Sequence, residues 1–343
     1  MTRQLVPTSV VPDVLARCRD IAEPAMRTAV STLADERMRL IASYQLGWCD
    51  ADGIATHSGG KAIRPALAIL SSEATLGSAY AGVPGAVAVE LVHNFSLLHD
   101  DVMDRDLVRR HRPTGWVAFG EGDAILAGTA MLTLAVEVLV GTGIEGRRSL
   151  PHLLSATQLL ISGQSRDLFL EGRDAVTLED VLEMQAGKTA ALLACSASIG
   201  ALAAGAPEHI VTGLETFGRE LGFAFQLVDD VLGVVGDPGR TGKSSSSDVR
   251  AGKRSAPIVA ALMSGTPAGE RLAELLADAP LEDEADVALA TALIQESGGL
   301  DWAVSEADAR LECALAAIDE LPLAEPAASE LAAVASFIVE RDR

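Results

Sequence analysis

Aromatic residues are scarce in this chain of 343 residues: seven Phe, three Trp and two Tyr, 3% in all. With 49% hydrophobic residues, the core must be built from Ala, Leu, Val and Ile, and Ala and Leu are strong helix formers. Strand signals are missing too. No stretch alternates β-branched and polar residues for long, and no Asn-Gly or Asp-Gly hairpin joins two such runs. No repeat of fixed period is present. The four cysteines, Cys18, Cys49, Cys195 and Cys313, are scattered, with no CxxC pair and no metal spacing, so they read as free thiols in a reducing cytosol. The N-terminus has no apolar core of the signal-peptide type. Two long apolar runs, 124–141 and 189–206, reach the borderline length for a membrane span. The first contains Glu137, and the second is rich in Ala, Ser and Gly. Both are read as central helices of a tightly packed soluble bundle, with no stable membrane insertion. The net charge of −21 disfavours nucleic acid and anionic membranes as partners.

Lysine is the scarcest cation. Of 27 Lys+Arg only four are Lys, namely Lys61, Lys188, Lys243 and Lys253, and each follows a glycine. Glycine lets backbone approach a ligand closely, and a lysine ammonium acts as a point charge for phosphate. Four Gly-Lys pairs in a strongly acidic, lysine-poor chain suggest local sites for an anion.

The remaining patterning is helical. Residues 11–44 read as two helices with Pro24 near the start of the second, followed by a loop over 48–61 and helical segments from about residue 64 to 341. Residues 1–11 read as frayed. The patch Lys243-Ser244-Ser245-Ser246-Ser247-Asp248 lies between two lysines and suggests a mobile lid over about 238–252.

Two aspartate pairs sit inside apolar helical stretches: Asp100-Asp101 and Asp229-Asp230. A buried carboxylate costs several kcal/mol, about, unless a cation answers it. At about 100° per residue, His93, Asp100 and Asp104 share one helix face, as do Gln226, Asp230 and Asp237 if that helix runs so far. Two such helices facing each other would make a pocket of carboxylate oxygens, the lining that Mg²⁺ prefers. Cations cluster nearby in sequence. Lys61 and Arg64 are one turn apart behind Gly59-Gly60, where a helix start adds anion-binding amides. Arg109, Arg110 and Arg112 follow the first acidic stretch, a placement that favours an anion site over a surface ion-pair cluster. The segments 163–168 (GQSRDL) and 185–190 (QAGKTA) lie on later helices, with Lys188 aimed inward beside an apolar run.

In colinear order from Gly59 to Pro257, these segments resemble the trans-isoprenyl (polyprenyl) diphosphate synthases: GGKAIRP, ELVHNFSLLHDDVMDRD with RRHRPT, GQSRDL, GKTA, FQLVDDVLGVVGD, TGK and GKRSAP. The resemblance implies a single all-α domain over 1–343, a helical bundle around a deep central cavity, and a homodimer. It implies that Asp100, Asp101 and Asp104, with Asp229 and Asp230, bind three Mg²⁺ ions on an allylic diphosphate. Lys61, Arg64, His93 and Arg110 would hold isopentenyl diphosphate. Arg109, Lys188, Gln226, Lys243 and Lys253 would surround the allylic diphosphate, with Thr189 close to the reacting carbons. Asp100, Asp104, Asp229 and Lys188 would carry the catalysis, in which the allylic carbon–oxygen bond ionises and the isopentenyl double bond attacks.

The chain departs from the family pattern in three places. Gly233 stands where the second motif has an aspartate, Ala62 where an arginine is frequent, and His111 where glycine is usual. The resemblance also implies that Phe95 and Ser96, five and four residues before Asp100, set the length of the product. One aromatic there, with no insertion in DDVMD, resembles the geranylgeranyl diphosphate synthases; a farnesyl diphosphate synthase is the alternative. A terpene cyclase on the same scaffold would not need Lys61, Arg64 and Arg110. A non-catalytic partner subunit would have lost aspartates from the first motif, and all three are present.

Overall fold

Apolar residues recur every three to four positions along most of the chain, and those stretches are helices in the computed structural model, which describes residues 7–56, 58–171, 173, 175–236, 246–277 and 279–340. The all-α expectation holds. A 3-10 turn at Thr8–Val10 leads directly into α1 (Val11–Ser31), so the described part of the segment read as frayed is helical. Pro24 lies inside α1 and does not start a second helix. Its missing N–H removes one hydrogen bond. The buried face of Val11, Val14, Leu15, Cys18, Ala22, Met26 and Val30 runs straight past it, and that packing outweighs the lost bond. The break comes later, where Asp35 caps α2 (Glu36–Gln45) by accepting from the Arg37 and Met38 N–H groups.

The chain divides into two compact units. The first comprises Met1–Thr157, Leu192–Gly218 and Ala316–Val334. Here α4 (Ala79–Met103) packs against α3 (Ile63–Ala74), the short α5 (Gly115–Phe119) and α6 (Glu121–Gly141). In a core poor in rings, helices approach through small residues. A Cβ on Gly200 of α9 (Ala191–Ala203) would fall 1.8 Å from the Ala68 carbonyl oxygen, so α9 and α3 meet backbone to backbone. Arg17 ties α1 to Glu73 at 2.9 Å and to Glu330 at 2.6 Å.

The second unit comprises Gln158–Ala191, Arg219–Leu315 and Ala335–Arg343. It takes in much of α7 (Ile144–Leu170) and α10 (Glu208–Val235), together with α8 (Leu178–Gln185) and a π-helical turn at Ala186–Ala190. Next come α11 (Ser247–Ala251), α12 (Ala256–Leu262), α13 (Pro267–Leu276), α14 (Glu284–Glu296) and α15 (Gly299–Asp319); α16 (Ala327–Glu340) ends the described chain. Val234, Val249, Ile258, Leu272, Leu293 and Ile294 are buried together as a core cluster of this unit.

Among the described residues two small antiparallel pairings interrupt the helices, and strand patterning gives no sign of them. Asp52-Gly53 turns a loop closed by a bridge between Cys49 and Ala55, with Gly53 at φ +84°. After α4, β1 (Val108–Arg109) pairs with β2 (Arg112–Pro113). Strands of two residues are too short to show alternation.

Three of the four thiols are buried. Burial pushes Cys18 and Cys195 up to about 12 and raises Cys49 as well, whereas Cys313 is exposed. At pH 8 a water-soluble maleimide should therefore react rapidly with one thiol per folded chain and with all four in denaturant. Cys313→Ser should abolish the rapid phase. Fast labelling that persists in that variant would contradict the packing described around α1 or α9.

Candidate active site

In the first unit the site residues gather at the C-terminal end of α4. Asp104 closes the helix, its N–H donating to the Asp100 carbonyl at 2.8 Å, so His93, Asp100 and Asp104 keep the shared face that their spacing implied. Asp100 is half-buried and Asp104 exposed, but Asp101 is only 1% exposed. Its Oδ1 accepts from Arg109 Nε at 2.6 Å, while its Oδ2 is buried with no hydrogen-bond partner. Burial raises the Asp101 carboxyl despite the opposing Arg109 charge. Removing that partner would leave an uncompensated buried charge.

Arg109 is aimed by the β1–β2 hairpin. Arg110 and His111 form its two-residue loop at φ +51° and +60°. A loop with both residues left-handed normally takes Asn-Gly, and a residue with a Cβ there costs roughly 1–2 kcal/mol. The family's glycine at the position of His111 has its physical reason in that angle. The turn lays the Arg110 guanidinium over Gly60, where a Cβ would come within 2.9 Å of Nη2. Arg112 does something else. It stacks on the Tyr44 ring at 4.0 Å and donates to Ser58 Oγ and the Cys49 carbonyl, both at 2.7 Å. It therefore latches the loop ahead of α3 and belongs to the scaffold.

Arg64 lies in the first turn of α3, with Lys61 just before it. Burial pulls the Arg64 guanidinium down to about 10; Arg110 pulls the same way, and Glu90 opposes both. His93 is held well below the usual imidazole range by burial and by the charges of Arg64, Arg110 and Arg109. A neutral imidazole set among three guanidinium groups is an environment that an anion would relieve. Lower on α4, Ser96 is buried one turn before Asp100 on its face, and its Oγ donates to the His93 carbonyl at 2.8 Å. Phe95 turns aside, its ring edge-on to His99 with centroids 4.9 Å apart, and His99 packs against Gly128 of α6.

In the second unit the site residues form a connected network. The π-helical turn carries Lys188 and Thr189; such turns are rare and frequent at functional sites. Lys188 Nζ pairs with Asp167 Oδ2 at 2.5 Å. Thr189 Oγ1 donates to Gln226 Oε1 at 2.6 Å, and Gln226 Nε2 donates to Asp230 Oδ1 at 2.9 Å. Asp230 Oδ2 accepts from Gln185 Nε2 at 2.9 Å and from the Ala256 N–H at 3.0 Å. Asp230 is thus buried and occupied on both oxygens, whereas Asp229 is exposed. Burial pushes Asp230 up to about 7; its hydrogen bonds and Lys253 lower it, and the Asp248 charge raises it. Lys253 follows α11, while Lys243, Asp237 and residues 238–245 of the expected lid lie outside the described residues. Sequence reasoning passed over Asp167 and Gln185. Both stand inside segments it had singled out, within a few positions of a residue it named.

Among the described residues no three or more His, Cys, Asp or Glu side chains are gathered in the geometry of a bound metal. The donor chemistry nevertheless suits Mg²⁺. Asp100, Asp101, Asp104 and Asp229 carry hard carboxylate oxygens, whereas both oxygens of Asp230 are taken by hydrogen bonds, and the orphaned Asp101 Oδ2 calls for a further cation.

Residues 53–294 match the polyprenyl synthetase family. The (2E,6E)-farnesyl diphosphate synthase of Mycobacterium tuberculosis is 42% identical over 346 residues, covering 99% of this chain and 94% of that one. The geranylgeranyl diphosphate synthase of the same organism is 42% identical over 318 residues, covering 92% and 91%. The crystal structure of a polyprenyl synthetase from Streptomyces coelicolor A3(2) superposes with a TM-score of 0.91 at 48% identity, covering 96% and 99%. With that match, those relatives and the shared all-α fold, the chain belongs to the polyprenyl synthetase family and is a prenyltransferase.

Proposed function

We propose that the protein condenses isopentenyl diphosphate with an allylic diphosphate (dimethylallyl, geranyl or farnesyl) and releases geranylgeranyl diphosphate. The observation that carries the transferase reading is the cluster of Asp100, Asp101 and Asp104 at the end of α4, with Asp101 holding Arg109 at 2.6 Å. On this reading Lys61, Arg64, His93 and Arg110 bind isopentenyl diphosphate. Asp100, Asp101, Asp104 and Asp229 hold Mg²⁺, with three ions per active site. When bound, Mg²⁺ neutralises charge developing on the departing pyrophosphate. Arg109, anchored by Asp101, adds a fixed positive charge for the same anion, and Lys188, Lys243 and Lys253 add others. Asp230, already hydrogen-bonded on both oxygens, aligns Gln226 and through it Thr189 beside the reacting carbons. On the same reading an apolar pocket keeps water from the allylic cation.

A homodimer fits the surface of α6. Its apolar stretch has a mean hydropathy of 2.0, yet only 39% of it is buried within the chain, with Ile125, Leu126 and Val140 exposed. A second copy covering that face removes it from water. The single family match takes in residues of both units, which supports reading the chain as one catalytic domain. Four unpaired cysteines support a reducing, cytosolic setting.

Three outcomes test the assignment. Asp100→Ala and Asp229→Ala should each lower turnover by at least ~10³-fold, a loss of about 4 kcal/mol in transition-state stabilisation, while the fold persists. Near-normal turnover in either would sink the metal-ligand roles. Lys61→Ala should raise KM for isopentenyl diphosphate far more than KM for the allylic primer; equal effects would mean that the two substrate sites have been merged or exchanged. Product length should respond to Ser96, because it lies one turn before Asp100 on the same face. Ser96→Phe should shift the product toward fifteen carbons, and Phe95→Ala should lengthen it beyond twenty. A wild type that stops at fifteen carbons with excess isopentenyl diphosphate would favour the farnesyl alternative and leave the transferase assignment standing. An unchanged product in Phe95→Ala would make Phe95 ordinary core and move the pocket floor to another helix, such as α6 near Met131.

A further inference from the structure

Glu90 is half-buried on α4, one turn before both His93 and Asn94. Viewed down the helix, His93 sits about 60° to one side of Glu90 and Asn94 about 40° to the other. Arg64, Arg110 and Arg109 act on the His93 flank. The Glu90 carboxylate is held toward the opposite flank. Asn94 Nδ2 donates to Glu90 Oε1 at 3.0 Å and to the Glu90 carbonyl at 2.9 Å. Both acceptors are oxygens, so the amide must turn its NH₂ toward them and its Oδ1 away. That Oδ1 is buried with no hydrogen-bond partner, and Asn94 is only 1% exposed. Burying an acceptor in that way costs stability. An apolar side chain of the same size would fill the space without the cost, so packing alone does not account for the amide.

Two buried guanidinium groups stand near the Glu90 carboxylate without taking it. Arg64 Nε is buried with no hydrogen-bond partner, and among the described residues Glu90 forms no ion pair with Arg64 or Arg110. Its charge nevertheless reaches both. Burial lowers each guanidinium, and Glu90 is the first charge to oppose that lowering. At a distance the carboxylate offsets two positive charges that would otherwise only repel each other. In direct contact it would occupy the donors that a diphosphate needs.

We propose that Asn94 is a positioning residue for the isopentenyl diphosphate site: it holds the Glu90 carboxylate back from Arg64 and Arg110, so that these guanidinium groups meet the substrate and not an internal acid. The proposal rests on the reading of Arg64 and Arg110 as isopentenyl diphosphate ligands. Without the two hydrogen bonds from Asn94, Glu90 is free to swing to the His93 flank and pair with the arginines. The substrate must then displace an ion pair before it binds.

Titration calorimetry with isopentenyl diphosphate alone, without allylic primer, tests this in the absence of turnover. Asn94→Leu keeps the volume and loses the donors. It should weaken isopentenyl diphosphate binding by about tenfold, since a charged group now competes for the same donors, and leave KM for the allylic primer unchanged. Combining it with Glu90→Gln, which carries no charge, should restore wild-type affinity, an interaction that independent sites do not show. Glu90→Gln alone should bind at least as tightly as the wild type. Asn94→Ala serves for the same comparison if Asn94→Leu does not fold. Wild-type affinity in Asn94→Leu overturns the proposal. A double variant as weak as Asn94→Leu overturns it too, by making Asn94 a packing residue, and so does weakened binding in Glu90→Gln alone. Arg64→Ala separates the two levels. Weak binding there alongside wild-type affinity in Asn94→Leu removes the Asn94 role alone. Wild-type affinity in Arg64→Ala removes the isopentenyl diphosphate site beneath it.

Discussion

A carboxylate taken out of water has to be answered by a cation or by hydrogen bonds, and the site of this prenyltransferase is organised around that demand. Asp101 and Asp230 are the buried members of the two aspartate pairs, and each is answered from within its own unit. Asp101 takes Arg109, and Asp230 takes Gln185, Gln226 and the Ala256 N–H. Each answer also positions something. The Asp101 pair fixes Arg109, and the Asp230 bonds fix Gln226 and through it Thr189. The buried aspartates thus serve as foundations, while their neighbours lie nearer solvent, Asp100 half-buried and Asp229 exposed. An adjacent pair on a helix divides naturally in this way, because successive side chains point about 100° apart.

The opposite problem arises in the cation cluster. Arg64, Arg109 and Arg110 raise the cost of protonating His93, and burial adds to it, so the imidazole stays neutral and can still donate one N–H. The hairpin that places Arg109 and Arg110 keeps two non-glycine residues at positive φ, a local cost of the kind that collects at functional sites. Gly60 and Gly233 are the complementary device. At each, the missing Cβ gives room to a charged group from another segment: the Arg110 guanidinium in one case and the Asp248 carboxylate in the other.

Helices and the main site residues were legible in the sequence because both follow the 3.6-residue period. The face shared by His93, Asp100 and Asp104 and the step from Gln226 to Asp230 survive in the structure. What escaped notice depends on contacts between segments distant in sequence. Pro24 suggested a helix start, but the buried face of α1 is continuous through it. The β1–β2 hairpin was invisible because its turn is Arg-His, residues that carry no turn signal. Arg112 looked like its neighbours and serves instead to latch the Tyr44–Ser58 region.

A chain with a net charge of −21 that works on diphosphates faces a field of the wrong sign. Screening limits the penalty, since at physiological ionic strength the Debye length is about 8 Å and exposed acids farther away than that contribute little. Inside that radius the local charges decide, and here Arg110 of the hairpin lies close enough to Arg64 of α3 to lower its pKa, and both lower that of His93. Partial burial shields them from salt, so their pull on an anion persists where that of surface charges fades. The scarcity of lysine follows the same logic. A guanidinium holds its charge when desolvated and forms forked bonds to fixed partners, as Arg109 does with Asp101 and Asp106. The ammonium of Lys188, a compact charge on a flexible stem, sits on the π-helical turn and pairs with Asp167 of α7.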